Sequence, residues 1–294
     1  MLSPVSAAAT GDFAAVMAKA SVLYRDADPE FANQALGAAL RAWDYGKTAS
    51  GEAEGFQNPP DISTGEYPDP QTEDEFFWAA AELYLAGAID EAGVSERLSG
   101  VTETGFGWQS VAGYGLWDLA LDSRESGTLS EAARKIVLQD AEQTADACEG
   151  DGYYMALGTE YPWGSNMSVA NNGMKLCLAY QLTGEERYLS LAAKQRDYLL
   201  GANAAGYCYV TGEGSRSPQH PHHRPSQAAG TARPGLLVGG PDSSLEDPYA
   251  QNVLQGKAPA LCYADNAQSY STNEAAVYWN SPLIALLAYL SYCC

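Results

Sequence analysis

The chain has 294 residues, 46% of them hydrophobic and 18% charged, enough for one large core or two smaller ones. Sixteen Lys and Arg against 37 Asp and Glu give a formal net charge of −21. That charge repels phosphate backbones and anionic lipid, which argues against nucleic acid or a membrane surface as partner and suits a neutral ligand such as a glycan.

Met1-Leu2-Ser3-Pro4 lacks a basic stretch followed by an apolar one, so no signal peptide is read. The six cysteines show no metal-type pair spacing. Cys293 and Cys294 are too close to bridge each other, and most of the six are expected to be buried thiols.

In chain order the pattern predicts about eight helices, with Gly/Pro-rich loops and no long strands. The first covers 6–24, with Phe13, Val16, Met17 and Ala20 at helical spacing. The second covers 29–45, opening on Asp28-Pro29. An acidic loop leads into 74–88. Its clustered Asp69, Glu73, Asp74 and Glu75 suit a hard cation such as calcium, or serve simply as first-turn acids. Helices at 113–122, 130–146, 166–183 and 185–200 follow, with Gly184 and Gly201 as stops. Trp43, Trp78 and Trp117 fall inside helical patterns and read as core. Tyr67, Trp108, Trp163, Tyr270 and Tyr278 lie at loops or helix starts, where a sugar face could stack.

Residues 202–262 form a long irregular stretch rich in Gly, Pro and Ser, a composition and length that usually mark function. All three histidines, His220, His222 and His223, fall inside it, just before Arg224. A metal site is one reading, weakened by the absence of Cys or carboxylate at ligand spacing. Arg224 reads either as a ligand contact or as a loop arginine paired with an acid.

The eighth helix is expected from about residue 274, because Ser271, Thr272 and Asn273 can cap it. The apolar run 275–292, broken by Asn280, Ser281, Pro282 and Ser291, reads as a buried core helix and not a membrane span. Glu274 then sits in a first turn among Tyr270, Tyr278 and Trp279. The helix dipole favours its ionised form and the apolar wall its neutral form. It is either a helix-start acid or a proton donor.

The run Tyr-x-Asp-x4-Tyr-x3-Glu-x-Ala-x3-Asn-Ser, filled by Tyr263, Asp265, Tyr270, Glu274, Ala276, Asn280 and Ser281, resembles the acid-bearing signature of glycoside hydrolase family 9. The stretch from Val210 to Arg224 is similar to the family's second signature, with Cys208 a departure. Further likeness at Phe13–Ala18, Thr64–Tyr67, Asp74–Tyr84, Trp163–Asn166 and Asp197–Asn203 makes the agreement collinear from Ser3 to Leu290. The resemblance implies an all-α, (α/α)6 six-hairpin toroid of twelve helices. About eight are read here, so the chain corresponds to the last two-thirds of such a domain. It implies hydrolysis of β-1,4-glucosidic bonds with inversion, Glu274 as general acid and His222 beside it, and Arg224, Trp163, Trp108, Tyr270 and Tyr67 as sugar contacts. No cofactor is required; structural calcium at Asp69, Asp74 and Glu75 is compatible. The parent enzyme is expected to be secreted and to bind β-glucan or cello-oligosaccharide.

Inversion needs a second carboxylate as base, roughly 6.5–9.5 Å from the acid. The family's Asp-Ala-Gly-Asp base motif is absent, and Asp118 and Asp122 lack its glycine turn. The chain alone is therefore expected to be inactive or strongly impaired, and to self-associate through uncovered helical faces. The alternatives are a glycan-binding or structural piece without turnover, or an exo-acting relative.

Overall fold

The computed structural model describes residues 5–48, 58–62, 65–101, 104–123 and 127–293; Met1, Leu2, Ser3, Pro4, Thr64 and Cys294, used in the sequence reading, lie outside them. Among the described residues there are twelve α-helices, one 3₁₀ turn and no strand, with two isolated β-bridges. The all-α expectation holds, but the helix count is higher than eight. The unforeseen helices, at Glu91–Leu98, Arg224–Ala229, Pro248–Leu254 and Tyr270–Asn273, have eight residues or fewer, too few turns for a readable 3.6-residue period. The chain divides into two compact units, Met1–Leu138 and Gln139–Cys294.

The first unit holds α1 (Ala7–Leu23), α2 (Pro29–Thr48), α3 (Glu73–Leu85), α4 (Glu91–Leu98) and α5 (Ala112–Leu121). Ser6 caps α1 by accepting the Ala9 N–H at 3.3 Å, as Asp90 does for α4 from Gly93 at 3.2 Å. Helix α1 packs on α2 and α3 with a face of small residues, Ala7, Ala8, Gly11, Ala14, Ala15, Ala18 and Ser21. The stripe expected to lead the packing is on the other side: Phe13 and Val16 are each 50% exposed. The cause is close approach, since a Cβ on Gly11 would stand 2.6 Å from the Glu75 Cβ. Helix α3 is central, packing against α1, α4 and α5 through Phe77, Trp78 and Leu83. Trp43, Trp78 and Trp117 are buried as expected.

Helix α6 (Thr128–Glu149) carries the chain into the second unit, where α7 (Ser165–Thr183), α8 (Glu186–Leu199) and α12 (Val277–Cys293) pack together. Between α8 and α12 run α9 (Arg224–Ala229), α10 (Pro248–Leu254), the 3₁₀ turn Pro259–Leu261 and α11 (Tyr270–Asn273). The long irregular stretch is thus partly helical. It is anchored by Cys208, Tyr209, Val210, Leu237 and Val238, which share a core cluster with Val169, Leu199 and Leu283. Helix α12 buries Trp279, Leu283, Leu286 and Leu290, each contributing roughly 1.5–3 kcal/mol. Its other face is open, with Val277 89%, Ile284 67% and Tyr292 91% exposed, so the buried-helix reading holds for one side only. Pro282 lies inside α12 and cannot donate to the Tyr278 carbonyl; the Ser281 hydroxyl reaches that oxygen at 3.4 Å. No helix of the described residues is long and apolar enough to cross a membrane. Cys148, Cys177, Cys208 and Cys262 are buried and Cys293 is exposed.

Candidate active site

Glu274 is not in a helix first turn. The capping signal Ser271-Thr272-Asn273 is taken up inside α11, and Glu274 follows as its C-terminal cap in extended conformation, φ −75° and ψ 160°. It forms a parallel β-bridge with His222, the His222 N–H donating to the Asn273 carbonyl at 2.8 Å, and its own carbonyl accepts the Gly239 N–H at 2.9 Å. The dipole argument therefore changes sign, because the C-terminal end of a helix, however short, disfavours a carboxylate. Burial raises the Glu274 pKa above the ordinary carboxylate range; the Trp163 N–H and the His222 charge oppose that rise.

The side chain is half-buried, and its Oε1 accepts the Trp163 indole N–H at 2.9 Å. The Trp163 ring, 38% exposed, lies 5.4 Å from the Tyr270 ring centroid, and His222 meets Tyr270 edge-on at 5.9 Å. His222 Nδ1 sits 2.7 Å from the Ala267 carbonyl oxygen, an acceptor only, so Nδ1 carries a proton. The other ring nitrogen then accepts from a hydroxyl when the ring is neutral and donates when it is charged. Trp163, Tyr270, His222 and Glu274 thus lie together in the second unit. Arg224 opens α9 and is exposed, with no ion pair among the described residues. The three histidines diverge in role: His223 Nδ1 is 2.9 Å from the Ser226 hydroxyl and the exposed His220 contributes its backbone. Tyr278 meets the buried Trp279 ring edge-on at 5.8 Å.

The segment bearing Glu274 is held by polar groups that pattern reading did not assign. Asp265 accepts four hydrogen bonds, from the Gln219 N–H (2.8 Å), the His220 N–H (2.8 Å), Asn273 Nδ2 (3.1 Å) and the Tyr207 hydroxyl (3.2 Å). Asn273, fully buried, donates to the His220 carbonyl at 2.8 Å and accepts the Tyr263 hydroxyl at 2.7 Å. Asn280 accepts the Leu237 N–H at 2.8 Å and donates to the Ala276 carbonyl at 2.8 Å. Glycine is required at 240, where φ is +88° and a Cβ would stand 2.4 Å from the Asn166 carboxamide carbon. The available signal was spacing: Asp265, Asn273 and Asn280 lie within one conspicuous run.

In the first unit, Tyr67 and Trp108 pair edge-on at 5.1 Å and line a cavity of about 680 Å³ with Asp12, Phe13 and Asp69. Asp69, Asp74 and Glu75 do gather, together with Asp12. The carboxyl oxygens of Asp69 and of Glu75 are buried and meet no N–H or hydroxyl donor at good hydrogen-bonding geometry, so each has the other acid as its nearest partner, while Asp74 is committed to the Val111 N–H at 2.8 Å. Burial and the neighbouring acids push Asp12 up to about 7 and Glu75 up to about 10, so one carboxylic acid can donate to the next. The orphaned oxygens match calcium in donor type. In number they fall short, because no three His, Cys, Asp or Glu among the described residues converge on one metal position. Asp118, a weighed stand-in for the base, is ion-paired with Lys19, which also reaches Glu82 at 3.2 Å.

The sequence profile of Glycosyl hydrolase family 9 matches residues 2–287. Endoglucanase C of Cellulomonas fimi is 37% identical over 298 residues, covering 95% of this chain and 27% of that protein. A xyloglucan-specific endo-β-1,4-glucanase of Bacteroides ovatus is 35% identical over 311 residues, covering 97% and 51%. Among solved structures, a single mutant of a thermostable endoglucanase from Alicyclobacillus acidocaldarius superposes with a TM-score of 0.89 at 37% identity, covering 98% of this chain and 56% of that one. The chain therefore spans about half or less of the length of these relatives.

Proposed function

The chain belongs to glycosyl hydrolase family 9, and on that premise we propose that it carries the acid half of a β-1,4-glucanase site. Glu274 donates a proton to the glycosidic oxygen as the C–O bond breaks. The observation that carries this reading is a half-buried carboxyl group with a raised pKa, aimed by the Trp163 indole at 2.9 Å beside two aromatic rings. Trp163 and Tyr270 offer faces to a pyranose, and His222 and Arg224 supply polar contacts to its hydroxyls. Tyr67 and Trp108 line a cavity of the first unit itself, of ligand-pocket size, and are proposed as stacking contacts there. The substrate proposed is an uncharged β-1,4-glucan, which the −21 net charge tolerates.

One observation favours a second reading in which this chain binds glycan without turning it over: Asp118, a weighed carboxylate, is spent on Lys19. The two separate by assay. With turnover, Glu274→Gln lowers kcat on cello-oligosaccharide by on the order of 10²–10⁴-fold and affects aryl glycosides with good leaving groups much less. An equal loss on both substrates removes Glu274 from the acid role. Without turnover, calorimetry on the unmodified chain shows cello-oligosaccharide binding that Trp163→Ala weakens. No cofactor enters the chemistry. Calcium is proposed only as a structural ion at Asp69, Asp74 and Glu75, and titration with calcium chloride reads it directly. Secretion of the parent enzyme, and self-association through the open faces of α1 and α12, belong to the same proposal; light scattering reports the latter.

A further inference from the structure

We propose that Asp247 is a positioning residue for the Glu274 site. It fixes Tyr270, and with it the arrangement of Trp163 and Glu274. The inference rests on the acid reading of Glu274 for its meaning, and on hydrogen bonds alone for its geometry.

Asp247 is fully buried, with no Lys or Arg paired to it among the described residues. Its Oδ1 accepts the Ala250 N–H at 2.7 Å and so caps α10. Its Oδ2 accepts three donors of another segment: the Ser269 hydroxyl at 2.9 Å, the Ser271 N–H at 3.1 Å and the Ser271 hydroxyl at 2.8 Å. Those two serines flank Tyr270, whose ring stands between Trp163 and His222. Helix α11 has four residues, too short to form on its own account. Its N-cap, Ser269, caps none of its backbone N–H groups; that hydroxyl lies between Asp247 and the Thr272 hydroxyl, 2.8 Å from the latter. The cap of α11 is thus supplied by Asp247 from more than twenty residues upstream. One carboxylate starts two helices, and the second of them ends at Glu274.

The chemistry explains why an acid stands here. Asparagine would cap α10 equally well, but three donors on one oxygen need a group that only accepts. Burying an unpaired carboxylate is costly, and a cap alone does not call for it.

The difference between the two residues supplies the test. In Asp247→Asn the α10 cap survives, while an amide N–H₂ faces the Ser271 N–H, which has no lone pair to offer. The readout is the Trp163 indole N–H resonance in the whole chain, assigned by Trp163→Phe and followed across pH. Its titration reports Glu274 and vanishes in Glu274→Gln; His222 is the charged group set against that carboxyl. In Asp247→Asn the midpoint is expected to move by about half a pH unit or more, and cellopentaose affinity to fall roughly tenfold. Ser271→Ala, which deletes one donor and leaves α10 capped, should move both in the same direction by less, and it decides the matter where Asp247→Asn does not fold. Wild-type midpoint and affinity in both variants, whatever the melting temperature, would overturn the proposal. A wild-type indole that does not titrate with Glu274 counts against the acid reading instead. The Trp163 chemical shift in the two variants then still decides for or against Asp247.

Discussion

The two units bury carboxyl groups in opposite ways. In the second, Asp242, Asp247 and Asp265 have their oxygens met by N–H and O–H donors: Asp242 takes the Ser244 and Glu246 N–H groups, Asp247 two backbone and two hydroxyl donors, Asp265 four donors. In the first, Asp12, Asp69 and Glu75 face one another with orphaned oxygens. Glu82 stands with Asp118 around Lys19, and burial, then that acid, push its pKa up to about 8. A satisfied carboxylate fixes a loop, and those of the second unit fix the loops that carry Glu274. A crowded, dry carboxyl group holds a proton or awaits a cation.

The largest effect expected from this contrast is at Asp265. Its replacement by Ala strands four donors, two of them backbone N–H groups, and should destabilise the second unit by about 3–5 kcal/mol in urea unfolding. Asp265→Asn should lose less. Equal and small losses in both would mean that water replaces the carboxylate and that the network is ornamental.

Next comes the pH dependence of the first unit. Asp12, Glu82 and Glu75 have folded-state values of about 7, 8 and 10, above their ordinary range near 4. The unfolded chain releases these protons as pH rises past about 4–5, while the folded unit keeps them until its own higher values are reached. Stability contributed by the neutral acids is therefore complete below pH 4 and declines as pH rises from there through the folded values of about 7, 8 and 10, by at least on the order of a few kcal/mol. Calorimetry between pH 5 and 9 should show a falling transition. Glu75→Gln, which holds the neutral state permanently, should flatten it and stabilise the chain at pH 8 by about 1–2 kcal/mol. Calcium should imitate that substitution only where it binds; a melting temperature unmoved by calcium chloride leaves the cluster to protons.

Much of the second unit's site was legible from the chain. Trp163 and Tyr270 were picked out as aromatics at loops or helix starts, His222 and the acid role of Glu274 came from the family resemblance, and the four side chains lie together in the structure. The local conformation at Glu274 was not legible, because Ser271, Thr272 and Asn273 look like caps whether their polar atoms serve the following helix or Asp247, Ala264 and Asp265. Only the tertiary partners decide that. The same limit hid Asp247, which the sequence reading left unassigned within the irregular stretch 202–262. In α1 the error had another source: hydrophobicity ranks Phe13 above Ala14 and Ala15, whereas close helix approach favours the smaller side chains.

The smallest effect expected concerns acids that are neither crowded nor buried. Arg187 on α8 holds Glu142 Oε1 at 2.6 Å, Asp146 Oδ1 at 2.5 Å and Glu149 Oε1 at 2.9 Å, all on α6. The Tyr188 hydroxyl donates to Glu142 at 2.7 Å. That hydrogen bond, then Arg187, lowers the Glu142 pKa. The sign is opposite to that of the first unit: this stability is present above the ordinary glutamate value and is lost as pH falls through the depressed one. Because these carboxylates are half-exposed or more, water and salt screen them, and Arg187→Ala should cost about 1 kcal/mol or less. The cost should shrink further in 1 M salt, where the screening length is about 3 Å. Acid should therefore weaken the wild type relative to Arg187→Ala, and base should weaken it relative to Glu75→Gln. A single pH slope shared by both variants would show that the two ways of placing a carboxylate are energetically one.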